Sequence, residues 1–463
     1  MEPVFQVTFA GGGNLACASI ATIGHNNPNW KINIMTRRPE AFNQEIVAYT
    51  AKSAWESKGN LVGRINKVSN DPKEVIPGSQ IVIICSPAHT KPQILTDIKD
   101  HLMDGCLLGS IFGQGAFDWQ AQHALGGADE IIKRNITLFS LQYVPFICKA
   151  FNYGKEVNII GPKKHLYVTS FPLERVHYAC SAMSLAYNIP SIPLPGFLNL
   201  TLTPSNQIIH PGRVYAHFKD WDGKQTFDAK SMPKLYEDLT EEGAHEIQLL
   251  DDEIQAIKKA LLNKFPELQL PQVLPIKDRI CAMYDGQISD KSSLKRIFNT
   301  NIGYSRVVFP MIAPDPKQPD RVILNKDARF FWEDVPFGLV ILKDIGRIVG
   351  VETPNCTKQI QWHQKFMPVK YIDDKTGEFL PNALKGTGAP SAYGIDTPEK
   401  LVQTSLSTTE SGAALCSEDI FFTVAGQTSK KVTTKQALRD KQAKATKADV
   451  TKVAQKSKKI SKK

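Results

Sequence analysis

The first residues of the chain show the apolar alternation of a strand, followed by glycines and then by small residues. Phe5, Val7 and Phe9 lie two residues apart, which is the spacing of a strand with one buried face. The small residues from 14 to 23 predict a short helix that begins directly after the glycines. The chain is therefore predicted to begin with a strand, a glycine turn and a helix.

Further buried strands follow at intervals, and helical segments separate them. Continuous apolar runs are typical of parallel strands that are covered on both faces. The strands predicted in this way are residues 31–35, 80–85, 106–112, 136–141 and 157–160. A helix is expected at about 90–102. Strands that alternate with helices predict an α/β fold with a mainly parallel sheet, which we place at residues 1–190.

The pattern changes after residue 190. The prolines in segment 189–196 predict a linker, because proline fits neither a regular helix nor a central strand. Between residues 233 and 265 the apolar residues recur three, four or eight positions apart, as in a helix with one buried face. We therefore predict a helical domain at residues 191–404, and a loose segment with a lysine-rich tail at residues 405–463.

The positive charge of the chain is concentrated at its end. The 463 residues carry a formal charge of +10, but residues 430–463 contain 13 Lys or Arg and 2 Asp, which leaves −1 for residues 1–429. The tail has few large apolar side chains, so we predict that it stays solvated. The alternative is a weak tether to anionic partners such as membrane surfaces or nucleic acid. Because residues 1–429 are nearly neutral, we predict no specific binding of nucleic acid.

Composition and cysteine usage are typical of an intracellular globular protein. Hydrophobic residues make up 42% of the chain and charged residues 22%. The eight cysteines include no Cys-x-x-Cys pair, so neither a disulfide framework nor a metal site is predicted. No run of eighteen apolar residues occurs. We therefore expect a soluble cytoplasmic protein.

The glycine turn matches the dinucleotide fingerprint Gly-x-Gly-x-x-Gly/Ala. In this pattern Gly11 makes the tight turn and Gly13 lets a pyrophosphate approach the backbone. Ala16 lets the helix pack close to the strand. Free amide groups at the helix start, around Asn14 and Leu15, hold the phosphates. The alternative is an ordinary glycine turn, but the order of strand, turn and helix favours a nucleotide site.

The ends of the next strands predict which dinucleotide binds. The second strand is followed by Arg37 and Arg38, at the place where an NAD-selective site carries an acid for the ribose hydroxyls. Two arginines can instead pair with a 2′-phosphate, so NADP(H) is favoured and NAD(H) is the alternative. Ser86 and Pro87 follow the strand at 80–85, and we expect them to face the cofactor because ligands collect at the carboxyl ends of parallel strands.

Two segments of the predicted helical domain can carry acid–base chemistry. Asn206 and His210 lie four residues apart, so they share one helix face, and histidine can move a proton near neutral pH. The alternative for a lone histidine is simple packing at a helix end. Residues 327–339 place Arg329 and Asp334 among four aromatic rings, where charges need partners. This segment predicts either an internal ion pair or a carboxylate-binding arginine beside an acid that orients a histidine.

Taken together, seven segments resemble the opine dehydrogenase family, which includes enzymes of the octopine and nopaline type. In order, they are residues 11–16 (GGGNLA), 113–115 (GQG), 145–148 (PFIC), 206–211 (NQIIHP), 290–294 (DKSSL), 329–339 (RFFWEDVPFGL) and 351–354 (VETP). The resemblance implies a Rossmann domain joined to an all-helical domain. It also implies an enzyme that condenses an α-keto acid such as pyruvate with the amino group of an amino acid and reduces the imine with NAD(P)H.

The resemblance further implies roles for individual residues. His210 would be the acid/base group, Asp334 its orienting partner and Arg329 the clamp for the carboxylate of the keto acid. Gln114 and Cys148 would line the substrate pocket. Asn206, on the helix face of His210, is a further candidate for substrate binding.

Two other functions stay open at this point. A Rossmann-plus-helical dehydrogenase of a hydroxy acid or a polyol phosphate would share the fold and part of the site. Oxidation of NADPH by a keto acid without an amine would favour that enzyme. A dinucleotide-sensing protein without turnover is the second alternative, but it has no need for a proton shuttle, so His210, Arg329 and Asp334 argue against it.

Overall fold

The computed structural model describes residues 5–50 and 59–406, which belong to one compact unit. Its strands are β1 (Gln6–Ala10), β2 (Lys31–Met35), β3 (Glu45–Thr50), β4 (Asn60–Arg64), β5 (Lys67–Ser69), β6 (Ile81–Ile84), β7 (Leu107–Ser110), β8 (Thr137–Leu141), β9 (Phe146–Asn152), β10 (Glu156–Pro162), β11 (Leu166–Phe171), β12 (Ser191–Pro193), β13 (Phe227–Asp228), β14 (Met311–Ile312) and β15 (Arg321–Leu324). Its helices are α1 (Asn14–Asn26), α2 (Pro72–Val75), α3 (Lys91–Ile98), α4 (Phe117–Ala124), α5 (Ala128–Lys133), α6 (Val176–Tyr187), α7 (Leu198–Thr201), α8 (Asn206–Phe218), α9 (Glu241–Lys264), α10 (Ile276–Met283), α11 (Leu294–Thr300), α12 (Arg329–Trp332), α13 (Val340–Val349), α14 (Pro354–His363) and α15 (Pro398–Leu406). We call the described residues up to 194 the sheet region and residues 195–406 the helical region.

The sheet region is built on an eight-stranded sheet with the order β12-β11-β8-β7-β6-β1-β2-β5. Neighbouring strands pair in parallel, except for β8 and β11. Every residue of β6 is buried, as expected for a strand that is covered on both faces. The chain passes from β1 to β2 on one side and returns to β6 on the other side, so the switch point of the sheet lies between β1 and β6. Sheets of this class bind ligands at the carboxyl ends of the strands beside that point.

The proline-rich segment 189–196 contributes to this sheet, which corrects the predicted linker. Ser191–Pro193 pairs in parallel with residues 166–168 as the outermost strand. The N–H of Leu194 donates to the carbonyl of Val168 at 2.8 Å. An edge strand tolerates proline because one side of its backbone has no neighbouring strand. The sheet therefore continues beyond residue 190.

A second sheet, with the order β4-β3-β10-β9, packs against α1. The strand predicted at 157–160 belongs to this sheet as part of β10, and no helix separates β8, β9 and β10. The expected alternation of strands and helices is therefore wrong after β8. The helix and the second sheet approach closely, since a Cβ on Gly63 of β4 would lie 2.1 Å from the carbonyl oxygen of Ile20. The small residues of α1 and β4 permit this contact.

The predicted helix at 233–265 begins later than its apolar pattern suggests. The helix α9 starts at residue 241 because Thr240 caps it, with the side-chain oxygen accepting a hydrogen bond from the N–H of Gly243 at 3.1 Å. Leu235 and Leu239, which continue the pattern, are buried in the same core from the preceding loop. The apolar pattern therefore begins before the first residue of the helix that it predicts.

The helical region also contains the three short antiparallel strands β13, β15 and β14. The tail predicted at 405–463 lies almost wholly outside the described residues, which end at 406. None of the helices within the described ranges combines the length and apolarity needed to cross a membrane. These ranges also bring together no group of three or more His, Cys, Asp or Glu side chains that could hold a metal ion.

Candidate active site

The glycine turn after β1 has the geometry that its sequence predicts. Gly11 has a φ of +114°, which favours glycine, and its N–H donates to the carbonyl of Met35 at 2.9 Å. A Cβ on Gly11 would lie 2.5 Å from the carbonyl oxygen of Cys85, so the turn sits directly against the end of β6. A Cβ on Gly13 would meet no atom of the described chain within 4 Å. The backbone at Gly13 is therefore open to a ligand.

The first turn of α1 fits a phosphate group. No side chain caps this helix, and its first turn contains no acid, so the amides of Asn14, Leu15 and Ala16 face no competing carboxylate from this turn. Asn14 is exposed and Ala16 is fully buried against the sheet. Beside this turn, the Ser86 hydroxyl oxygen is buried without a hydrogen-bond partner in the described residues, and Pro87 is exposed. These residues together fit a dinucleotide.

Arg37 and Arg38 lie exposed at the carboxyl end of β2. The guanidinium carbon of Arg38 is 4.1 Å from the ring centre of Tyr153, which is a cation–π contact. Thr36 separates the strand from the two arginines, and the next acid along the chain is Glu40. Two cations, and no acid, therefore follow β2 directly.

His210 and Asp334 form a buried pair in the helical region. Their Nδ1 and Oδ2 atoms are 2.8 Å apart, and the two residues are 5% and 1% exposed. His210 lies on α8, whereas Asp334 directly precedes a π-helical turn, Val335–Leu339. This turn approaches α8 so closely that a Cβ on Gly338 would lie only 2.4 Å from the Cβ of Gln207. The missing side chain of Gly338 thus permits the pair to form.

The surroundings of the pair hold the imidazole in one orientation. The Phe330 ring stacks on the His210 ring with 3.8 Å between the centres and 11° between the planes. Burial raises the pKa of Asp334, and the neighbouring His210 opposes this rise only in part. The Oδ1 atom of Asp334 has no hydrogen-bond partner within the described ranges. A carboxylate on Nδ1 favours the tautomer with a proton on Nδ1, which leaves Nε2 as the basic nitrogen.

Tyr236 is a site residue that the sequence analysis missed. Its hydroxyl oxygen is 2.9 Å from Nε2 of His210, so the hydroxyl donates to the basic nitrogen. Tyr236 is 7% exposed, and burial raises the pKa of its hydroxyl. It lies in the loop before α9, 26 positions after His210. A single tyrosine in a loop outside any motif gives no signal that could have identified it.

Arg329 and Glu333 connect the pair to the strand ends of the sheet region. Nη2 of Arg329 is 2.7 Å from Oε2 of Glu333, while 51% of the arginine side chain stays exposed. Oε1 of Glu333 accepts a hydrogen bond from the N–H of Ala88, in the loop after β6, at 3.0 Å. Phe337 lies beside the loop after β7, since a Cβ on Gly115 would be 3.4 Å from the Cβ of Phe337. Segment 327–339 thus contains both an ion pair and an acid bonded to a histidine.

Gln114 joins the two regions through its buried amide group. Its Nε2 donates to the carbonyls of Thr203, at 2.6 Å, and Gln142, at 3.3 Å. Its Oε1 accepts from the N–H of Ser205, at 3.2 Å, and the residue is 1% exposed. Because these polar atoms bind backbone groups beside the start of α8, the structure assigns Gln114 a positioning role and does not support the predicted direct contact with substrate.

Cys148 and Asn206 have different surroundings. Cys148 on β9 packs on the core around α1, and burial raises the pKa of its thiol to about 12. Its neighbour Ile147 packs on the helical core, because successive side chains of a strand point to opposite faces. The Cys148 side chain therefore points away from the helical region, which argues against the predicted substrate contact. Asn206 begins α8 one turn before His210 and is half-buried, and its substrate role stays a prediction.

The chain is similar to known proteins in sequence and in fold. Residues 193–367 match the family model described as NAD/NADP octopine/nopaline dehydrogenase, alpha-helical domain. The chain is 27% identical to tauropine dehydrogenase of Arabella iricolor over 408 residues, which cover 86% of this chain and 99% of that protein.

Two solved structures show the same fold. Octopine dehydrogenase in complex with NADH and agmatine matches with a TM-score of 0.73 at 21% identity, over 86% of this chain and 98% of that protein. Yersinopine dehydrogenase with NADP+ bound matches with a TM-score of 0.58 at 14% identity, over 86% and 99% of the two chains. The likeness therefore extends over both the sheet region and the helical region.

Proposed function

We propose that this chain, which belongs to the opine dehydrogenase family, is an NAD(P)H-dependent oxidoreductase that joins an α-keto acid such as pyruvate to the amino group of an amino acid by reductive condensation. The observation that carries the proposal is the buried pair of His210 and Asp334, with 2.8 Å between Nδ1 and Oδ2. Glu333, which directly precedes Asp334, accepts a hydrogen bond from the N–H of Ala88 after β6. A group suited to proton transfer beside these strand ends supports an enzyme rather than a dinucleotide sensor.

The proposed reaction needs one group that both accepts and donates a proton. The ammonium group of the amine must lose a proton before its nitrogen attacks the keto carbon. The hydroxyl of the resulting carbinolamine must gain a proton to leave as water. A group with a pKa of about 6 to 7 serves both steps, which is the range of histidine.

His210 has the contacts that this role requires. Asp334 on Nδ1 fixes the tautomer and stabilises the imidazolium that forms when Nε2 takes a proton. The stacked Phe330 ring limits rotation of the imidazole. The proton of the amine would pass to Nε2, and the same proton would return to the leaving hydroxyl.

The residues that would hold the cofactor are Gly11, Gly13, the first amides of α1 and Ser86. When bound, the nicotinamide dinucleotide supplies the hydride that reduces the C=N bond. The exposed Arg37 and Arg38 support a preference for NADP(H), because two guanidinium groups can hold a 2′-phosphate.

Arg329 has the properties of a clamp for the keto acid. One of its nitrogens is occupied by Glu333 at 2.7 Å, and half of the side chain stays exposed. A guanidinium group carries five N–H donors, so the remaining donors can hold a carboxylate in a bidentate arrangement. A keto acid held in this way would have its carbonyl carbon in a fixed position for attack by the amine.

The proposal is tested by measuring oxidation of NADPH and NADH with pyruvate and a panel of amino acids and taurine. We expect oxidation that requires both the keto acid and the amine, with a secondary amine as the product in mass spectrometry. Oxidation by the keto acid alone would instead identify a dehydrogenase of hydroxy acids. Cofactor binding without any oxidation would identify a dinucleotide-binding protein.

A further inference from the structure

A cavity of roughly 330 Å³ lies between the sheet region and the helical region. Ile147 on β9 and Tyr167 on β11 line it from the sheet region, and Met283 and Tyr284 at the end of α10 line it from the helical region. His210 and Asp334 are not among the residues that line it. This volume is at the lower end of the range for small-molecule sites, so the cavity can hold part of a substrate.

Most of the charged residues around the cavity are already paired. Arg279 and Asp251 form a buried ion pair, with 3.1 Å between Nη2 and Oδ1. Lys164 forms an exposed ion pair with Asp285, with 3.5 Å between Nζ and Oδ2. Because both cations are paired with carboxylates, they contribute little unpaired positive charge to the cavity.

Lys163 differs from these neighbours. Its ammonium nitrogen lies 4.2 Å from the ring centre of Tyr284, and it makes no ion pair or side-chain hydrogen bond with any residue in the ranges 5–50 and 59–406. Burial lowers the pKa of Lys163 to about 8. A half-buried cation that has no anionic partner is unfavourable. An acidic group of a ligand in the cavity would supply that partner.

A row of tyrosine rings connects the cavity with the proposed catalytic group. The ring centres of Tyr284 and Tyr304 are 4.9 Å apart, and those of Tyr304 and Tyr236 are 4.6 Å apart. The Tyr236 hydroxyl in turn bonds to His210 at 2.9 Å. The cavity therefore borders the same aromatic cluster that contacts His210.

We propose that this cavity binds a carboxylate, sulfonate or phosphate group through Lys163, and that this group is the far end of the amine substrate. The inference rests on the proposed function and adds the substrate class, namely amines that carry an acidic group away from the reacting nitrogen. Gln272 and Gln287 also line the cavity and can donate further hydrogen bonds to such a group. Cationic amines such as arginine or agmatine would bring a second positive charge towards Lys163 and are disfavoured.

The first test replaces the lysine by an uncharged side chain of similar length. With glutamate as the amine, Lys163→Met should raise KM roughly ten- to hundred-fold and keep kcat, because a charge-assisted contact made equally in the ground and transition states is lost. With alanine the KM should change less than about twofold. Lys149→Met is the matched control, since Lys149 is exposed on β9 and does not line the cavity, and it should leave both KM values unchanged.

A second variant and an anion probe separate the remaining outcomes. Lys163→Glu should shift the preference towards arginine, and thermal unfolding of each variant shows whether it is folded.

Inorganic sulfate should compete with the amine in the wild type and lose this effect in Lys163→Met. Sulfate inhibition without competition would overturn the substrate assignment in favour of a free-anion site. The inference is also overturned if Lys163→Met is active and its ratio of the KM for glutamate to the KM for alanine equals that of the wild type. Absence of amine-dependent oxidation in the wild type would instead refute the proposed function.

Discussion

At the scale of single residues, both ring nitrogens of His210 are engaged. Nδ1 bonds to Asp334 at 2.8 Å and Nε2 bonds to the Tyr236 hydroxyl at 2.9 Å. Because an imidazole nitrogen makes one hydrogen bond at a time, a substrate proton reaches Nε2 either through the Tyr236 hydroxyl or after the hydroxyl moves aside. Substitutions of His210, Asp334 and Tyr236 are therefore expected to affect turnover in different ways.

Removal of the imidazole tests the proton shuttle. His210→Ala should lower kcat roughly 10² to 10⁴-fold, which is the usual contribution of a general acid–base group. NADPH binding, followed by fluorescence titration, should be kept because the glycine turn lies in the sheet region. Asp334→Asn should also lower kcat, since an amide does not stabilise the imidazolium. A near-native kcat with an unchanged pH profile in His210→Ala would show that the histidine only packs in the core.

Removal of the tyrosine hydroxyl tests its part in proton transfer. Tyr236→Phe should lower kcat about tenfold, the equivalent of one hydrogen bond of about 1.4 kcal/mol, while the ring keeps its place in the aromatic cluster. The pH dependence of kcat should change as well, because the hydroxyl bonds to the nitrogen that is proposed to take up the proton. Tyr304→Phe, one ring further from His210, serves as the control in steady-state assays. Equal kcat values for wild type and Tyr236→Phe would assign the tyrosine a packing role.

At the scale of elements, the proposed cofactor preference depends on the residues that follow β2. Arg37→Asp should weaken NADPH binding more than NADH binding, because it removes a partner of the 2′-phosphate and adds a repulsive charge. Titration with each cofactor measures the two losses. Lys31→Asp changes the same charge at the opposite end of β2 and should leave both affinities nearly unchanged. Equal losses for NADPH and NADH in Arg37→Asp would argue against a phosphate contact.

The π-helical turn Val335–Leu339 shows that a sequence motif does not by itself predict the local backbone geometry. The segment was identified from its arginine, acids and aromatic residues. Its close approach to α8, which brings Asp334 to His210, depends on the absence of a side chain at Gly338. The turn has an irregular residue, Phe337, with φ −111° and ψ 23°. Apolar periodicity does not predict such a conformation, because π-turns are rare.

At the scale of the whole molecule, a few polar contacts join the sheet region to the helical region near the site. Gln114 binds the backbone on both sides, and Glu333 accepts the N–H of Ala88 at 3.0 Å. These contacts set the distance between the proposed cofactor site and His210. A proton shuttle works on a substrate only when this distance is kept.

Replacement of Glu333 tests this connection. Glu333→Ala leaves the buried N–H of Ala88 without an acceptor, at an expected cost of about 1–3 kcal/mol in the free energy of unfolding. Glu333→Gln keeps a side-chain oxygen for this N–H and should cost less, although it removes the charge that pairs with Arg329. Thermal midpoints of the two variants measure the difference. If Glu333→Gln were as unstable as Glu333→Ala, the ion pair and not the bond to Ala88 would be the stabilising contact.

The sequence by itself determined the elements that depend on neighbouring residues. β1, α1 and β2 follow from local apolar patterns, and the bounds predicted for β2 are those of the structure. His210 and Asp334 followed from motifs and from family resemblance. The tertiary structure decided everything that depends on residues far apart in the chain, including the second sheet, the edge strand β12 and the hydroxyl of Tyr236 at Nε2. The physical reason is that a strand is stabilised by the strands beside it, and a buried polar atom by whichever partner the fold brings near.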